Sequence, residues 1–159
     1  PPPSPPSPPL PPLPPSPPRP PSQPPLPPPL LAIMVSTGIF HACAILQDSA
    51  TRCWGSNVNG STDVPDDVNF TSISAGGSGG EDYFETFHIN SQTCAVAMDG
   101  AARCWGYIAD GQERMPQGLF ASISVGKSSH TCGVLTNFSA RCWGANSYHQ
   151  SDVPTDLTF

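Results

Sequence analysis

The six cysteines are the residues of this chain best suited to chemistry, and they form three pairs of equal spacing. In each pair the second cysteine follows the first by ten positions and lies in an Arg-Cys-Trp-Gly sequence, which occurs at 52–55, 103–106 and 141–144. Paired cysteines form disulfides in an oxidising compartment and act as metal ligands or redox groups in a reducing one. The pairs are Cys43 with Cys53, Cys94 with Cys104, and Cys132 with Cys142.

A histidine two residues before the first cysteine raises the alternative of a zinc site. His41 precedes Cys43 in this way, and His130 precedes Cys132. The later cysteine of each pair would supply a third ligand. The middle copy has Gln92 at the histidine position, which breaks the ligand set. We therefore expect buried histidines bonded to the backbone, and no metal or other cofactor.

Short β-strands are the elements that must position these cysteines. Alternating apolar and polar residues with turn residues between them are typical of strands. Each copy contains about four such runs: an Ile-Ser run, a Cys-Ala run, the Arg-Cys-Trp run and a Val-Pro run. The sequence therefore predicts an all-β fold.

A three-residue hairpin loop is expected to place the two cysteines of each copy directly opposite each other. Asp99-Gly100 is a turn sequence typical of hairpins, and Asp48-Ser49 and Asn137-Phe138 occupy the same place. Opposite residues of antiparallel strands have Cβ atoms about 4.5–5.5 Å apart, which a small adjustment brings within reach of a disulfide. We therefore predict disulfides 43–53, 94–104 and 132–142. The alternative is three pairs of reduced core cysteines.

The self-similarity extends over residues 31–159 and defines three repeats. Phe70-Thr-Ser-Ile-Ser-Ala-Gly76 matches Phe120-Ala-Ser-Ile-Ser-Val-Gly126, and residues 31–35 are a weaker version. Residues 30–35 are expected to begin the first repeat, or to add an edge strand to a neighbour's sheet. We place the repeats at 31–69, 70–119 and 120–158. The middle one is longest because of an insertion at 77–91.

The repeated motifs resemble those of regulator-of-chromosome-condensation repeats. The shared pattern is His-x-Cys-Ala, nine residues between the cysteines, Cys-Trp-Gly, Val-Pro and Ile-Ser-x-Gly. The paired cysteines are similar to those of the ectodomains of crinkly-type plant receptor kinases. The resemblance implies a β-propeller of four-stranded blades. Since closed propellers typically have four to eight blades, we expect either a fragment of a longer protein or a partial, open propeller completed by neighbours.

Residues 1–30 hold all but three of the 23 prolines. Proline fixes φ and lacks an amide donor, so we predict a polyproline II stalk about 90 Å long. The alternatives are a semi-rigid linker or a ligand for SH3 or WW domains.

The Ser-Pro-Pro pattern of this stalk resembles hydroxyproline-rich glycoproteins such as extensins and pherophorins. The resemblance implies hydroxylated prolines and covalent glycans, with arabinose on proline and galactose on serine. The positions concerned are Pro2, Pro3, Pro5, Pro6, Pro8, Pro9, Pro11, Pro12, Pro14, Pro15, Pro17 and Pro18, with Ser4, Ser7 and Ser16.

The paired cysteines, the sequons and the proline-rich stretch indicate an extracellular protein. With 6 basic and 12 acidic residues and a net charge of −6, the chain lacks the basic surface that nucleic acids and anionic membranes require. No apolar run is long enough for membrane insertion. Asn59, Asn69 and Asn137 begin N-glycosylation sequons and are expected to carry N-glycans on turns or loops.

The insertion at 77–91 alternates glycine, acidic and aromatic residues. We expect a surface loop in which Tyr83, Phe84 and Phe87 fold back onto the sheet or contact a second subunit or a ligand. Its acidic residues do not have the spacing of a calcium-binding loop.

The sequence favours a structural role, and we do not expect an enzyme. It contains no phosphate-binding loop. We expect a secreted structural glycoprotein of an extracellular filament, an algal or plant-type cell wall, or a flagellar-hair-like glycofibril. Its partners would be further copies of itself or other matrix glycoproteins. The alternative is a stalked receptor or lectin-like propeller that binds a peptide or glycan. Nucleotide exchange on a small GTPase is disfavoured by the stalk, the sequons and the acidic balance.

Overall fold

The computed structural model describes Pro2 and residues 29–81, 87–108, 114–127 and 129–155. Almost all of the proline-rich stretch 1–30 lies outside this part, so the stalk and its modified prolines and serines remain predictions. Tyr83, Phe84 and the side chain of Phe87 also lie outside it. The regular structure of the described residues is β-strand apart from one 3-10 turn at Val58–Gly60.

In the part of the chain that the structure describes, nine strands form three antiparallel sheets, one in each repeat. The first sheet has the order β1-β2-β3, the second β4-β5-β6 and the third β7-β8-β9. The predicted all-β fold of three blade-like repeats is confirmed, and residues 32–37 form the first strand of the first blade. The strands are β1 (Ala32–Thr37), β2 (His41–Leu46), β3 (Thr51–Gly55), β4 (Phe70–Glu81), β5 (Phe87–Ala97), β6 (Ala102–Gly106), β7 (Phe120–Val125), β8 (His130–Leu135) and β9 (Ala140–Gly144).

Each blade has three strands in the described residues, whereas the sequence predicted four. The Val-Pro runs at 63–65 and 152–154 lie in loops rather than in a fourth strand. Proline cannot donate to a strand ladder. In addition, the aspartate before each run is held by its own loop, because Asp63 Oδ1 accepts from Asn57 Nδ2 at 2.8 Å and Asp152 Oδ1 accepts from Asn146 Nδ2 at 2.7 Å.

Three-residue loops close the three cysteine hairpins, as the sequence predicted. The last residue of each loop has a positive φ: 68° at Ser49, 82° at Gly100 and 66° at Phe138. An Asp or Asn side chain supports each loop by accepting an amide hydrogen bond from the residue two positions later, at 2.9 to 3.1 Å. Glycine takes a positive φ without strain, whereas a bulky residue such as Phe138 does not.

The insertion in the middle repeat lengthens a hairpin instead of forming the expected loop. Pairing between β4 and β5 continues from Gly77 with Ser91 to Glu81 with Phe87. Phe87 and Ile89 alternate with the polar residues His88 and Asn90, which is the period of a strand. The glycines at 76, 77, 79 and 80 concealed the partner strand, because glycine is depleted in strands.

The three sheets stack in chain order, and the core lies between them. One apolar cluster joins the first and second sheets, and another joins the second and third. Each repeat therefore completes its core with residues of the next repeat, as in other repeat proteins.

Candidate functional site: the outer faces of the blade stack

Each blade has two chemically different faces. Cys53 and Trp54 are adjacent on β3, so their side chains point to opposite sides of the sheet, and the other repeats have the same arrangement. We call the side with the disulfide the socket face and the side with the tryptophan the indole face. Between neighbouring blades, the indole face of the later repeat packs on the socket face of the earlier one.

The disulfides form the floor of each socket. The structure joins Cys43 to Cys53, Cys94 to Cys104 and Cys132 to Cys142, with Cα atoms 4.0 to 4.1 Å apart. These are the pairs that the spacing predicts, and the two cysteines of each pair are direct partners in the strand register. All six cysteines are used in this way.

An aromatic pair fills each inner socket. Trp105 and Phe70 of the second repeat have ring centroids 5.6 Å apart and belong to the cluster that contains Cys43 and Ile45 of the first repeat. In the third repeat, the ring centroids of Trp143 and Phe120 are 5.8 Å apart. This second pair belongs to the cluster of Cys94 and Val96. The two inner contacts are thus built alike.

Serine side chains connect the inner strands of neighbouring blades. Ser36 Oγ accepts from the amide of Ala75 at 2.9 Å, and Ser74 Oγ accepts from the amide of Val125 at 2.9 Å. Sequence reasoning missed this role, although the repeated Ile-Ser sequence was the available signal. The equivalent serine of the third repeat is Ser124, which pairs with Cys132 as Ser36 does with Cys43.

The carbonyl of Ser61 is a second connection between the first and second blades. It accepts from Trp105 Nε1 at 3.0 Å and from Thr93 Oγ1 at 2.8 Å. Because the Thr93 hydroxyl donates its proton there, it must accept from His41 Nε2, which lies 2.8 Å away. His41 is therefore protonated on Nε2, and burial lowers the pKa of this imidazole below its usual value. The prediction of a buried histidine is confirmed for His41, although its partner is a side-chain hydroxyl rather than the backbone, whereas His130 is only half-buried.

A repeated loop places this carbonyl. In the first repeat, Asn57 Oδ1 accepts from the amide of Thr62 at 2.9 Å, and in the third repeat Asn146 Oδ1 accepts from the amide of Ser151 at 2.9 Å. Ser151 therefore corresponds to Thr62, and Gln150 occupies the position of Ser61. Asp152 also accepts from His149 at 2.7 Å, and this hydrogen bond lowers the pKa of the Asp152 carboxyl.

No described residue fills the socket face of the third repeat. It forms a groove of about 290 Å³ whose lining includes Ser124, the disulfide of Cys132 and Cys142, Val134 and Val153. These residues correspond to the ones that hold Trp105 at the first inner contact. The groove is therefore a socket without an indole.

The indole face of the first repeat is open as well. Trp54 is 52% exposed, whereas Trp105 is 8% and Trp143 is 6% exposed. Val35 is 62% exposed and corresponds to the buried residues Ile73 and Ile123. The stack therefore ends in two apolar surfaces of opposite type, a free indole face and a free socket face.

The three sequon asparagines all lie on the surface. Asn59 is in the 3-10 turn, Asn69 directly precedes β4 and Asn137 is in a hairpin loop, and all three are exposed. Asn137 Oδ1 accepts from the amide and the hydroxyl of Ser139, at 3.1 and 2.7 Å. The side-chain nitrogen, to which an N-glycan attaches, is not used in these bonds. N-glycosylation at the three positions stays a prediction.

The described residues contain no group of three or more His, Cys, Asp or Glu side chains able to hold a metal ion. Within the same ranges, the structure has no helix that is both long and apolar enough to span a membrane.

Comparison with known families and structures supports the repeat assignment. Residues 120–150 match the family model described as the regulator of chromosome condensation (RCC1) repeat. No curated protein matches the chain in sequence.

Solved structures are similar over most of the chain. The ectodomain of the receptor kinase CR4 from Physcomitrella patens is 26% identical with a TM-score of 0.59, and the similarity covers 82% of this chain and 32% of that one. The ectodomain of the receptor kinase ACR4 from Arabidopsis thaliana is 23% identical with a TM-score of 0.53, covering 79% and 39%.

A third neighbour, Prp20p from Saccharomyces cerevisiae, is 18% identical with a TM-score of 0.52, covering 71% of this chain and 33% of that one. The last two neighbours, at these identities, show the fold alone. The predicted resemblance to RCC1-type, crinkly-type propeller repeats is confirmed, and the chain spans between 32% and 39% of the length of these neighbours.

Proposed function

We propose that the blade stack is an extracellular recognition module carried on the proline-rich stretch 1–30. The observation that carries this proposal is the use of all six cysteines in disulfides within blades similar to a plant receptor ectodomain. Disulfides persist in oxidising compartments and are rare in the cytosol and nucleus. The exposed sequons at Asn59, Asn69 and Asn137 support the same compartment.

The residues suited to chemistry have structural tasks, which supports binding rather than catalysis. The cysteines form the socket floors. The buried side chain of His41 forms a hydrogen bond with the Thr93 hydroxyl between two blades, which is a structural contact. The module therefore binds its partner without converting it. A polar loop surface with isolated aromatic residues suits a peptide or a glycan.

The loop after β9 is the surface that we assign to such a partner. Tyr148 is exposed there, beside the ordered pair of His149 and Asp152. Aromatic side chains give large contact area at low conformational cost, and they are enriched where proteins bind. Asn146 holds the loop in shape from within, so the contact residues are pre-arranged.

Binding measurements with immobilised oxidised chain test this proposal. We expect saturable binding to one member of a panel of secreted peptides and cell-wall glycans, weakened at least tenfold by Tyr148→Ala. The exposed aromatic Phe138, on a hairpin loop of the same repeat, provides the control Phe138→Ala. Absence of saturable binding to the whole panel, with folding intact, would contradict the recognition module.

A second candidate is a structural glycoprotein of a filament, wall or matrix. The specific observation in its favour is the pair of exposed apolar outer faces, which form a stack able to continue into a neighbour. The proline-rich stretch would form a glycosylated fibre element. Electron microscopy of secreted material separates the candidates, since regular fibres favour a structural subunit and discrete particles favour the recognition module. A measured mass equal to the bare 16.7 kDa would remove the glycans from either proposal.

A further inference from the structure

The two open faces of the stack keep most of the residues that make the inner contacts. On the socket side, Ser124 stands where Ser36 and Ser74 stand, opposite the first cysteine of its repeat. The disulfide of Cys132 and Cys142 stands where Cys43–Cys53 holds the inner core. The third repeat therefore offers the same acceptor and the same apolar floor as the first two.

On the indole side, the first repeat offers the matching half. Trp54 pairs with Ala42 in the strand register as Trp105 pairs with Thr93. The amide of Thr37 is at the position of the Ala75 amide, which donates to Ser36 at the first inner contact. Val35 corresponds to Ile73 and is exposed.

We propose that the indole face of the first repeat docks on the socket face of the third repeat of a second copy, repeating the inner contacts head to tail. Trp54 would enter the groove over the disulfide of Cys132 and Cys142. Its Nε1 would donate to the carbonyl of Gln150, which lines the groove, as Trp105 does to Ser61. The Thr37 amide would donate to Ser124 Oγ, as Ala75 does to Ser36.

Two substitutions make this outer contact weaker than the inner ones. The first repeat has Ala32 where the others have Phe70 and Phe120, so the aromatic pair is reduced to a single indole. It also has Ala42 at the position of Thr93. The indole face of the first repeat therefore lacks the hydroxyl with which His41 forms a hydrogen bond at the first inner contact. We therefore expect association that depends on protein concentration.

The geometry of such a contact is heterologous, because two different faces meet. Heterologous contacts close into rings when the rotation between copies permits and otherwise extend into filaments. Two copies would bring together six blades, which is within the range of about four to eight seen in closed propellers. Ring and filament both contain the proposed contact.

This inference adds to the recognition module and supplies the contact that the structural candidate requires. A chain that remains monomeric overturns it and leaves ligand binding by the loop after β9 untouched. A chain that associates but does not bind a ligand contradicts the recognition module and leaves the proposed contact between copies intact. The two failures are therefore distinguishable.

A mixing experiment with two single variants tests the contact. Val35→Glu places a charge on the indole face, and Ser124→Glu places one on the socket face. Both residues are exposed, so neither change is expected to disturb folding, which circular dichroism checks. Mass photometry and light scattering of the full oxidised chain should show assemblies for the wild type. Each variant alone should require at least tenfold more protein to associate.

An equal mixture of the two variants should recover a dimer, because one intact indole face then meets one intact socket face. Met98→Glu is the matched control, since Met98 is an exposed apolar residue on the middle repeat, whose faces are both covered. It should associate like the wild type. A monomeric wild type at about 100 µM, unchanged association of both variants, or a mixture that stays monomeric would each overturn the proposal, since a contact with a Kd of about 1 µM is almost fully formed at that concentration.

Discussion

The tryptophans of the second and third repeats are buried, whereas the tryptophan of the first repeat is half exposed. Trp105 and Trp143 lie on a preceding socket with 8% and 6% exposure, whereas no blade of the described residues covers Trp54, which is 52% exposed. The three sheets are otherwise built alike. The contrast shows that a repeat does not bury its own indole. The preceding repeat buries it. The contacts between blades therefore contribute much of the stability of this chain.

Alanine substitution of the tryptophans should give the largest difference in stability between the inner and outer indoles. Trp105→Ala should lower the free energy of unfolding by about 3–5 kcal/mol, because it empties a filled socket. Trp54→Ala removes a side chain that remains half in water and should cost less than about 1 kcal/mol in the monomer. Chemical denaturation of both variants at low protein concentration measures the difference. Equal losses would show that the two indoles have similar surroundings.

Removal of a disulfide should have the next largest effect. Replacing Cys94 and Cys104 together by alanine should cost about 2–4 kcal/mol through the unfolded chain. It should also loosen the packing of Trp143, which rests on this bridge. The bridge of Cys132 and Cys142 lines an open groove, on which no tryptophan of the described residues packs. Its replacement by alanine should therefore cost only the contribution of the unfolded chain. A larger loss at the outer pair than at the inner pair would contradict the stack.

Substitution of the repeated serine should also have different effects on stability at an inner face and at an outer face. Ser74→Ala leaves the amide of Val125 without its acceptor and should cost about 1–3 kcal/mol, the usual penalty for an unpaired buried donor. Ser124→Ala makes the identical change on the open face and should be close to neutral in the monomer. Denaturation midpoints of the two variants provide the measurement, and a neutral Ser74→Ala would remove the serine from the account.

Phe138→Gly is expected to stabilise the third hairpin. Phe138 has a φ of 66°, where the equivalent residue of the second repeat is Gly100. Relief of this backbone strain should raise the free energy of unfolding by about 1 kcal/mol. The change keeps the sequon that begins at Asn137. Gly100→Ala, which introduces the opposite strain, should destabilise, and a stabilising effect there would speak against the loop geometry.

The smallest predicted effect is a dependence on acid. The unfolded His41 takes up a proton near its ordinary pKa of about 6.5, whereas burial lowers the folded pKa. Stability is therefore unaffected by His41 above about pH 6.5 and falls as the pH drops from there through the folded pKa. His41→Gln, the residue that the middle repeat has at Gln92, should remove this component. Unfolding curves at pH 7.5 and 5.5 would show it.

Much of the fold was predictable because the repeat shows the same signals three times. Cysteine spacing together with the Asp-Gly and Asx turns determined the hairpins, since a three-residue loop leaves one register that pairs Cys43 with Cys53. The strand count was wrong because Val-Pro has strand composition but proline and the Asn57–Asp63 bond hold it in a loop. The contacts between blades were not predictable. They depend on the Ser61 carbonyl and the Ser36 hydroxyl, and a backbone group or a common serine has no distinctive sequence.

Mass spectrometry of an unreduced digest tests the central claim most directly, since every socket is built on a bridge within its own repeat. We expect three cross-linked peptide pairs, joining Cys43 to Cys53, Cys94 to Cys104 and Cys132 to Cys142. A bridge between two repeats, or free thiols in the folded chain, would contradict it.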